Sequence, residues 1–465
     1  MKGFSIKAWL VIGALLLCVF LVVILVLRRS PVPPRSRITR VSVASSGIQG
    51  NAESVEASIS GDGRYVAFLS KATNLVAGDS KGQYAIYVHD RRTGQTARAS
   101  VASDGTQANA FSCQPAISAD GRYTAFESDA DNLTAGTSKK SRQVYVHDRE
   151  TGKTAIVSVA SDGTVGNSGS SEASISVDDR YVAFRSFANN LVPNDTNEAL
   201  DVFVHDRKTG GTIRISVASD GTQGDGVSYS PSISADGRHI AFYSEATNLV
   251  PGDTNGAGDV FVHDCKTGRT IRASVSSSGG EGKYESGICG ISISGNGRYV
   301  AFSAHMNELV PVRGWDGSYW AGHGVFLHDC RTRETTAVSV APDGRDANGA
   351  SAWPSISKDG RFVVFLSEAN NLAPDSNKEG HGPSRQGISH GPAEVLVRDC
   401  RNGQTARMST ARDSNVLGSW AYKPSISADG RYVAFASAVA DLVRGDSNRC
   451  DDIFVATNPL FPRIR

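Results

Sequence analysis

The chain has 465 residues, 48 basic and 47 acidic, a balance that gives no reason to expect nucleic acid or another polyanion as partner. Its 48 glycines fall mostly at fixed places in an internal repeat. They therefore mark turns, and the length reflects an array of repeats more than two or three separate domains.

After a short tail, residues 1–7, the first element is an unbroken apolar run from Ala8 to Leu27. As a helix its 20 residues would measure about 30 Å, the thickness of a bilayer's hydrocarbon core. A cleaved signal peptide has a shorter core, about 7–15 residues, and ends at small residues. This run ends in Val26-Leu27-Arg28-Arg29. The segment 8–27 is therefore expected to be an uncleaved transmembrane helix. Counting Arg28, Arg29, Arg35, Arg37 and Arg40 against Lys2 and Lys7 would place the rest of the chain in the cytoplasm. A very short lysine-bearing tail is instead the usual layout of an export signal, and an extracytoplasmic domain, periplasmic or extracellular, is the expectation. Residues 28–36 form a Pro/Arg-rich linker, in which Ser30-Pro31-Val32-Pro33-Pro34 reads as a stiff, extended spacer.

From residue 37 to the end a segment close to Ser-Ile-Ser-Ala-Asp-Gly-Arg-Tyr-Val-Ala-Phe recurs seven times. Its arginines are Arg64, Arg122, Arg180, Arg238, Arg298, Arg361 and Arg431, spaced by 58 residues three times and then by 60, 63 and 70. In the fourth repeat Pro231–Ser234 reads as a short strand, ended by the turn residues Ala235-Asp236-Gly237. Arg238–Ser244 is a second strand and Asp259–His263 a third. Asp264-Cys265-Lys266-Thr267-Gly268 makes a tight hairpin into a fourth, Thr270–Val275. Four strands joined by short local connections make a propeller blade. After the last third strand, Asp452–Thr457, only a Pro-containing tail remains. Ile38–Gly47 aligns with Thr96–Gly105, a fourth strand with no preceding three. The amino-terminal strand is thus expected to complete the last blade and hide both sheet edges.

These residues resemble the TolB-like propeller repeats, whose hallmark is Ser-x-Asp-Gly followed by a strand ending Ala-Phe; third strands such as Ile86-Tyr87-Val88-His89-Asp90 match the second half of that repeat. The resemblance spans about residues 37–457. It implies an all-β propeller, a fold used both in binding scaffolds and as an appendage of peptidases, and no peptidase domain is present. Seven repeats are counted, whereas the best-known members have six blades. The expected fold class is an all-β, seven-bladed propeller of four-stranded antiparallel blades, closed by its N-terminal strand and preceded by one transmembrane helix.

Repetition decides how several motifs are read. A catalytic centre needs different residues at one place, so Asp62, Asp120, Asp236, Asp359 and Asp429 read as turn residues, with the repeat arginines pairing locally. His89, His147, His205, His263 and His328 end five different third strands and share no common point. Glycine directly follows aspartate, unlike the sialidase Asp-box. Cys265, Cys330 and Cys400 sit at one repeat position, a whole blade apart, too far for a disulfide; Cys113 and Cys289 read as free thiols for the same reason. Asp195, Asn197 and Asp201, then Asp253, Asn255 and Asp259, then Asp446, Asn448 and Asp452 share the spacing D-x-N-x-x-x-D. Such oxygen ligands suit Ca²⁺, and Asx-turns account for the same residues. No other cofactor is indicated.

The features outside the repeat gather on one face. Loops after the second and fourth strands of a blade emerge on the same side. They carry Trp315, Tyr319, Trp320, Trp353, Trp420 and Tyr422, with Tyr229 on the corresponding loop of blade four. They also carry insertions at Val312–Gly324 and Lys378–Pro392. Loop insertions on one face of a repeat protein mark its binding surface, and exposed aromatics stack on sugars or fill partner pockets. The expected function is a membrane-anchored, non-catalytic scaffold recognising a protein, peptide or glycan. The competing class is a polysaccharide hydrolase or lyase using His381 and His390 with Asp316 or Glu379.

Overall fold

The computed structural model describes residues 36–79, 82–137, 141–305, 309–311, 323–373, 393–409 and 423–462. The expected membrane helix lies outside them. Twenty-eight strands among the described residues form seven four-stranded antiparallel sheets. In blade one the strands are Ser54–Ile59, Tyr65–Ser70, Ala85–Asp90 and Thr96–Arg98, in that order from first to fourth.

The middle strands explain why the repeat reads as it does. Tyr65–Ser70 and Ala85–Asp90 are buried along their whole length, because neighbouring blades cover both faces. A strand covered on both faces reads as a continuous apolar run, not an alternation. Phe68 meets Tyr87 across these strands at 5.8 Å, and Phe126–Tyr145, Phe184–Phe203 and Phe242–Phe261 repeat the pair at 5.8, 6.0 and 5.9 Å. Fourth strands are shorter than the sequence suggests. Arg269–Arg272 is the strand of blade four, and Val275 instead bridges Glu281 in a small hairpin that leaves the sheet.

The turn residues act locally, as repetition implies. Ser60 Oγ and the Arg64 amide both donate to Asp62, and the Tyr65 amide donates to Ser60 Oγ. The arginine itself reaches the third strand: Arg64 Nε and Nη2 donate to the two oxygens of Asp90 at 2.9 and 2.6 Å. That pair is repeated from Arg122–Asp148 to Arg361–Asp399, and it holds the Asp90, Asp148, Asp206 and Asp264 carboxyls well below the usual range. Glycine follows aspartate because the preceding blade's tyrosine leaves it no room. Gly121 has φ 74° and a Cβ there would lie 2.0 Å from the Tyr65 ring.

The five histidines fasten blades to one another. Thr96 Oγ1 donates to the Val43 carbonyl of the preceding blade at 2.5 Å and lies 2.9 Å from His89 Nδ1. A threonine hydroxyl has one hydrogen, so His89 carries its proton on Nδ1 and donates. His147, His205, His263 and His328 repeat the contact. In blade six Arg398, a donor only, takes the same place against Thr405 and the Val340 carbonyl. Burial depresses His89 and His328 to about 4.

Ring closure follows the expected route. Ile38, Thr39 and Arg40 pair with Ala456, Val455 and Phe454, and the Val41 amide donates to the Ile453 carbonyl at 2.8 Å. Ile38–Arg40 thus supplies the fourth strand of blade seven.

Candidate functional site at one mouth of the channel

The first strand of each blade faces the axis, and in five blades it carries a bulge near its start. In blade one the register shifts between Val55 and Ser58, and equivalent shifts occur in blades two, three, four and six. The bulge turns one residue left-handed: Glu56 at φ 54°, Gln114 at 49°, Glu172 at 55°, Ser230 at 55°, Gly290 at 111° and Trp353 at 55°. Such values are uncommon outside glycine and mark places to inspect for function. In blade seven the position is Lys423.

Seven repeats can be compared with one another column by column. The columns at the Asp-Gly-Arg end of the strands are nearly constant. This column reads Glu, Gln, Glu, Ser, Gly, Trp, Lys, so six kinds of side chain fill seven equivalent places. The channel brings them together. A cavity of about 240 Å³ is lined by Gln114, Glu172, Ser230, Gly290, Trp353 and Lys423.

Deeper in the channel the wall becomes uniform. Ser58, Ser174, Ser232, Ser292, Ser355 and Ser425 each accept the amide hydrogen of an isoleucine in the next blade, at 3.0–3.3 Å. Ala116 takes the seventh place. These serines are half-buried, and each keeps its own hydroxyl hydrogen and a lone pair for the channel. At the far end the backbones of neighbouring blades bond directly. Gly61 donates to Ala119, Val177 to Ala235, Ala235 to Gly295, Gly295 to Lys358 and Lys358 to Ala428, at 2.9–3.0 Å. Backbones bonded side by side lie about 4.8 Å apart, so seven of them close a circle roughly 11 Å across before side chains fill it. The channel is therefore a cup with a wide, varied mouth and a narrow base.

The carboxylates of the mouth are already committed. Glu56 accepts the Gln114 amide at 2.8 Å, Glu127 the Glu172 amide at 2.5 Å, and Glu172 the Ser230 amide at 2.7 Å. Each ties one blade to the next and satisfies a backbone donor exposed by the bulge. Glu127 comes from the second strand and is fully buried, in a place that blades one and six give to Leu69 and Leu366. Its carboxylate also meets Cys113 Sγ at 3.6 Å and Arg142 Nη1 at 3.4 Å. Arg142 in turn grips Asp129 with two bonds, at 2.9 and 3.0 Å. Burial pushes the Glu56 and Glu127 carboxyls above the ordinary range, against the pull of the amide hydrogens. Glu172 also pairs with Arg185 at 3.4 Å.

Trp353 is the aromatic of the sequence analysis that the described residues place in this site. A Cβ on Gly290 would lie 3.1 Å from the Trp353 backbone, so blade five gives way to it. From blade seven, Lys423 Nζ lies 4.5 Å from the Trp353 ring centre, a cation–π contact. Trp315, Tyr319, Trp320, Trp420 and Tyr422 lie outside the described residues, as do Asp316, Glu379, His381 and His390. Tyr229 stands beside Ser230 and packs on Tyr243, with ring centres 4.4 Å apart. Gln114, Glu127, Arg142 and Lys423 were missed by motif reading. The signal was the variable column itself.

The three Asp/Asn clusters assemble as their spacing implies, but around an arginine. Arg272 Nη1 lies 3.2 Å from Asp253, 3.0 Å from Asp259 and 2.6 Å from Glu281. Arg214 sits likewise between Asp195 and Asp201, and Arg40 between Asp446 and Asp452. Asn197 and Asn255 turn their amide hydrogens to Asp201 and Asp259, and Asn448 turns its own to the Gly50 carbonyl. A guanidinium thus stands where the spacing suggested Ca²⁺, and in blade four it does so among Asp253, Asp259 and Glu281, whose carboxylate oxygens lie within 4.8 Å of one another. The described cysteines are all free.

No family model matches the chain, and no curated protein matches it. Solved structures do. An oligogalacturonate lyase in complex with manganese aligns at 15% identity over 91% of this chain and 94% of its own, with a TM-score of 0.51. The β-propeller domain of the Trilobed protease from Pyrococcus furiosus aligns at 14% identity over 89% and 98%, with a TM-score of 0.50. TolB from Acinetobacter baumannii aligns at 15% identity over 68% and 60%, with a TM-score of 0.37. The first two likenesses show the fold; identities this low show nothing finer.

Proposed function

We propose that this seven-bladed propeller of TolB-like repeats is a recognition module, and that its ligand, a glycan or peptide, enters the channel at the varied mouth. One observation carries the reading: unlike side chains replace one another at a single repeat position and converge on one cavity, while the opposite end of the blades stays nearly constant. A purely structural disc would have no use for that asymmetry. Trp353 and Lys423 are the first contacts we assign. The expected membrane helix would hold this module at a membrane, with the propeller outside the cytoplasm.

The test is capture from glycan arrays and peptide libraries by the full-length protein. Trp353→Ala and Lys423→Ala should each lower capture at least tenfold and leave the circular dichroism unchanged. Undiminished capture by both variants rejects the mouth as the site.

A catalytic reading has one support, the likeness to an oligogalacturonate lyase along nearly the whole of both chains. It predicts turnover of acidic polysaccharide that disappears when His381 or His390 is replaced. The thiol beside a carboxylate at the mouth, Cys113 with Glu127, is buried and burial pushes the thiol well above its ordinary range, so recognition is preferred.

A further inference from the structure

Resting on that reading, we propose that the cup takes a carboxylated sugar residue at the end of a glycan chain, with Lys423 as the partner of its carboxylate. The argument starts from what the mouth has left to offer. Glu56, Glu127 and Glu172 are bonded to amide hydrogens of the next blade. Arg142 and Arg185 are paired with Asp129, Glu127 and Glu172. Because Glu127 reaches in from the second strand to cap the Glu172 amide, Gln114 is released from the duty its neighbours Glu56 and Glu172 perform. Among the described residues its carboxamide makes no hydrogen bond, and Lys423 makes no ion pair. The groups free to meet a ligand are therefore the Lys423 ammonium, the Gln114 carboxamide, the Ser230 hydroxyl and the serine hydroxyls below. That set is rich in donors, and Lys423, which also feels the Glu56 carboxylate, is its one cation without an ion pair among the described residues, so the place for a ligand carboxylate is local to the ammonium.

Size and wall chemistry narrow the class. A cavity of about 240 Å³ is below the roughly 300–1,000 Å³ of pockets that enclose drug-sized ligands, and suits a single ring. The narrow base, closed round by inter-blade backbone bonds, makes the approach end-on, so a chain would present its terminus. Of the half-buried serines, Ser292, Ser355 and Ser425 line this cavity together with Ser230, and their hydroxyls, each able to donate once and accept once, match the hydroxyls of a sugar ring. A peptide's carboxyl end would bring one amide hydrogen and a side chain, and would leave most of that wall unmatched and desolvated.

Glucuronic acid, glucose, the dipeptide Gly-Gly and its amide are the probes, with binding to the full-length protein followed by saturation-transfer NMR. Glucuronic acid should bind at least tenfold more tightly than glucose. Lys423→Ala should erase that preference and Lys423→Arg should retain it; both variants should keep the wild-type circular dichroism, since Lys423 is exposed. Equal binding of the two sugars, no binding of either, or a preference that survives Lys423→Ala overturns the proposal. Binding of Gly-Gly in preference to its amide and to glucuronic acid overturns it in favour of a peptide terminus. Capture of neutral glycans through Trp353 would leave the mouth as the site and remove only the carboxylate.

Discussion

At the scale of single residues, departures from the repeat are more informative than the repeat itself. Asp179 stands where the other six turns have glycine. It holds φ 61°, a region costing a non-glycine residue about 1 kcal/mol, and burial together with the nearby Asp120 raises its carboxyl to about 6. The folded chain then binds more protons than the unfolded chain between about pH 4 and 6, so this carboxyl subtracts stability as pH rises through that window. Asp179→Gly should raise stability to urea by about 1 kcal/mol or more at pH 7.5, and the gain should shrink at pH 4.5, where the carboxyl is neutral in the fold. A gain that is the same at both pH values would locate the whole effect in the backbone. Arg272 follows the repeat, as Arg214 and Arg40 do, but in its cluster a third carboxylate, Glu281, joins the two aspartates. Its neighbours Asp253, Asp259 and Glu281 bring three carboxylates together, and its guanidinium supplies the positive charge among them. Arg272→Ser should cost about 3 kcal/mol. Millimolar Ca²⁺ should return part of that loss while leaving the wild type unmoved, which thermal unfolding with and without the ion would read.

At the scale of elements, the three-residue strand Ile38–Arg40 has the largest task for its length. It covers the outer edge of Asp452–Thr457, an edge otherwise open to pairing with another chain. Its continuation, Val41, is buried and donates to Ile453. Val41→Pro removes that hydrogen bond and should cost about 3 kcal/mol. The released edge should appear as higher oligomers in size-exclusion chromatography. A monomeric Val41→Pro protein of wild-type stability would mean that closure does not depend on this strand. First strands show the opposite economy: their bulges sacrifice regular pairing to aim one residue per blade at the axis, and the amide hydrogens exposed in this way are recovered by Glu56, Glu127 and Glu172.

At the scale of the whole molecule, the disc has two unlike ends. One is built from constant turns, Arg–Asp pairs and backbone-to-backbone bonds, and it is where the ring is tightest. At the other, each blade presents its own residues. His305 and His323, which end and begin neighbouring strands of blade five, and Lys423 of blade seven stand at this second end. Rigidity at one end and variety at the other is the division expected of a scaffold that positions a site.

Blade number, strand order and the route of ring closure were legible in the chain because they follow from local periodicity and from counting strands. So was the local role of the turn aspartates and the third-strand histidines, since a residue repeated at equivalent places cannot converge on one centre. The sequence could not say that Glu127 would cap a neighbouring blade, that arginines would enter the Asp/Asn clusters, or that Gln114 and Lys423 would share a cavity with Trp353. Those pairs lie in different blades or on different strands, tens to hundreds of residues apart. Only the closed ring brings them within bonding distance, and only burial there decides which charges are matched and which stay available.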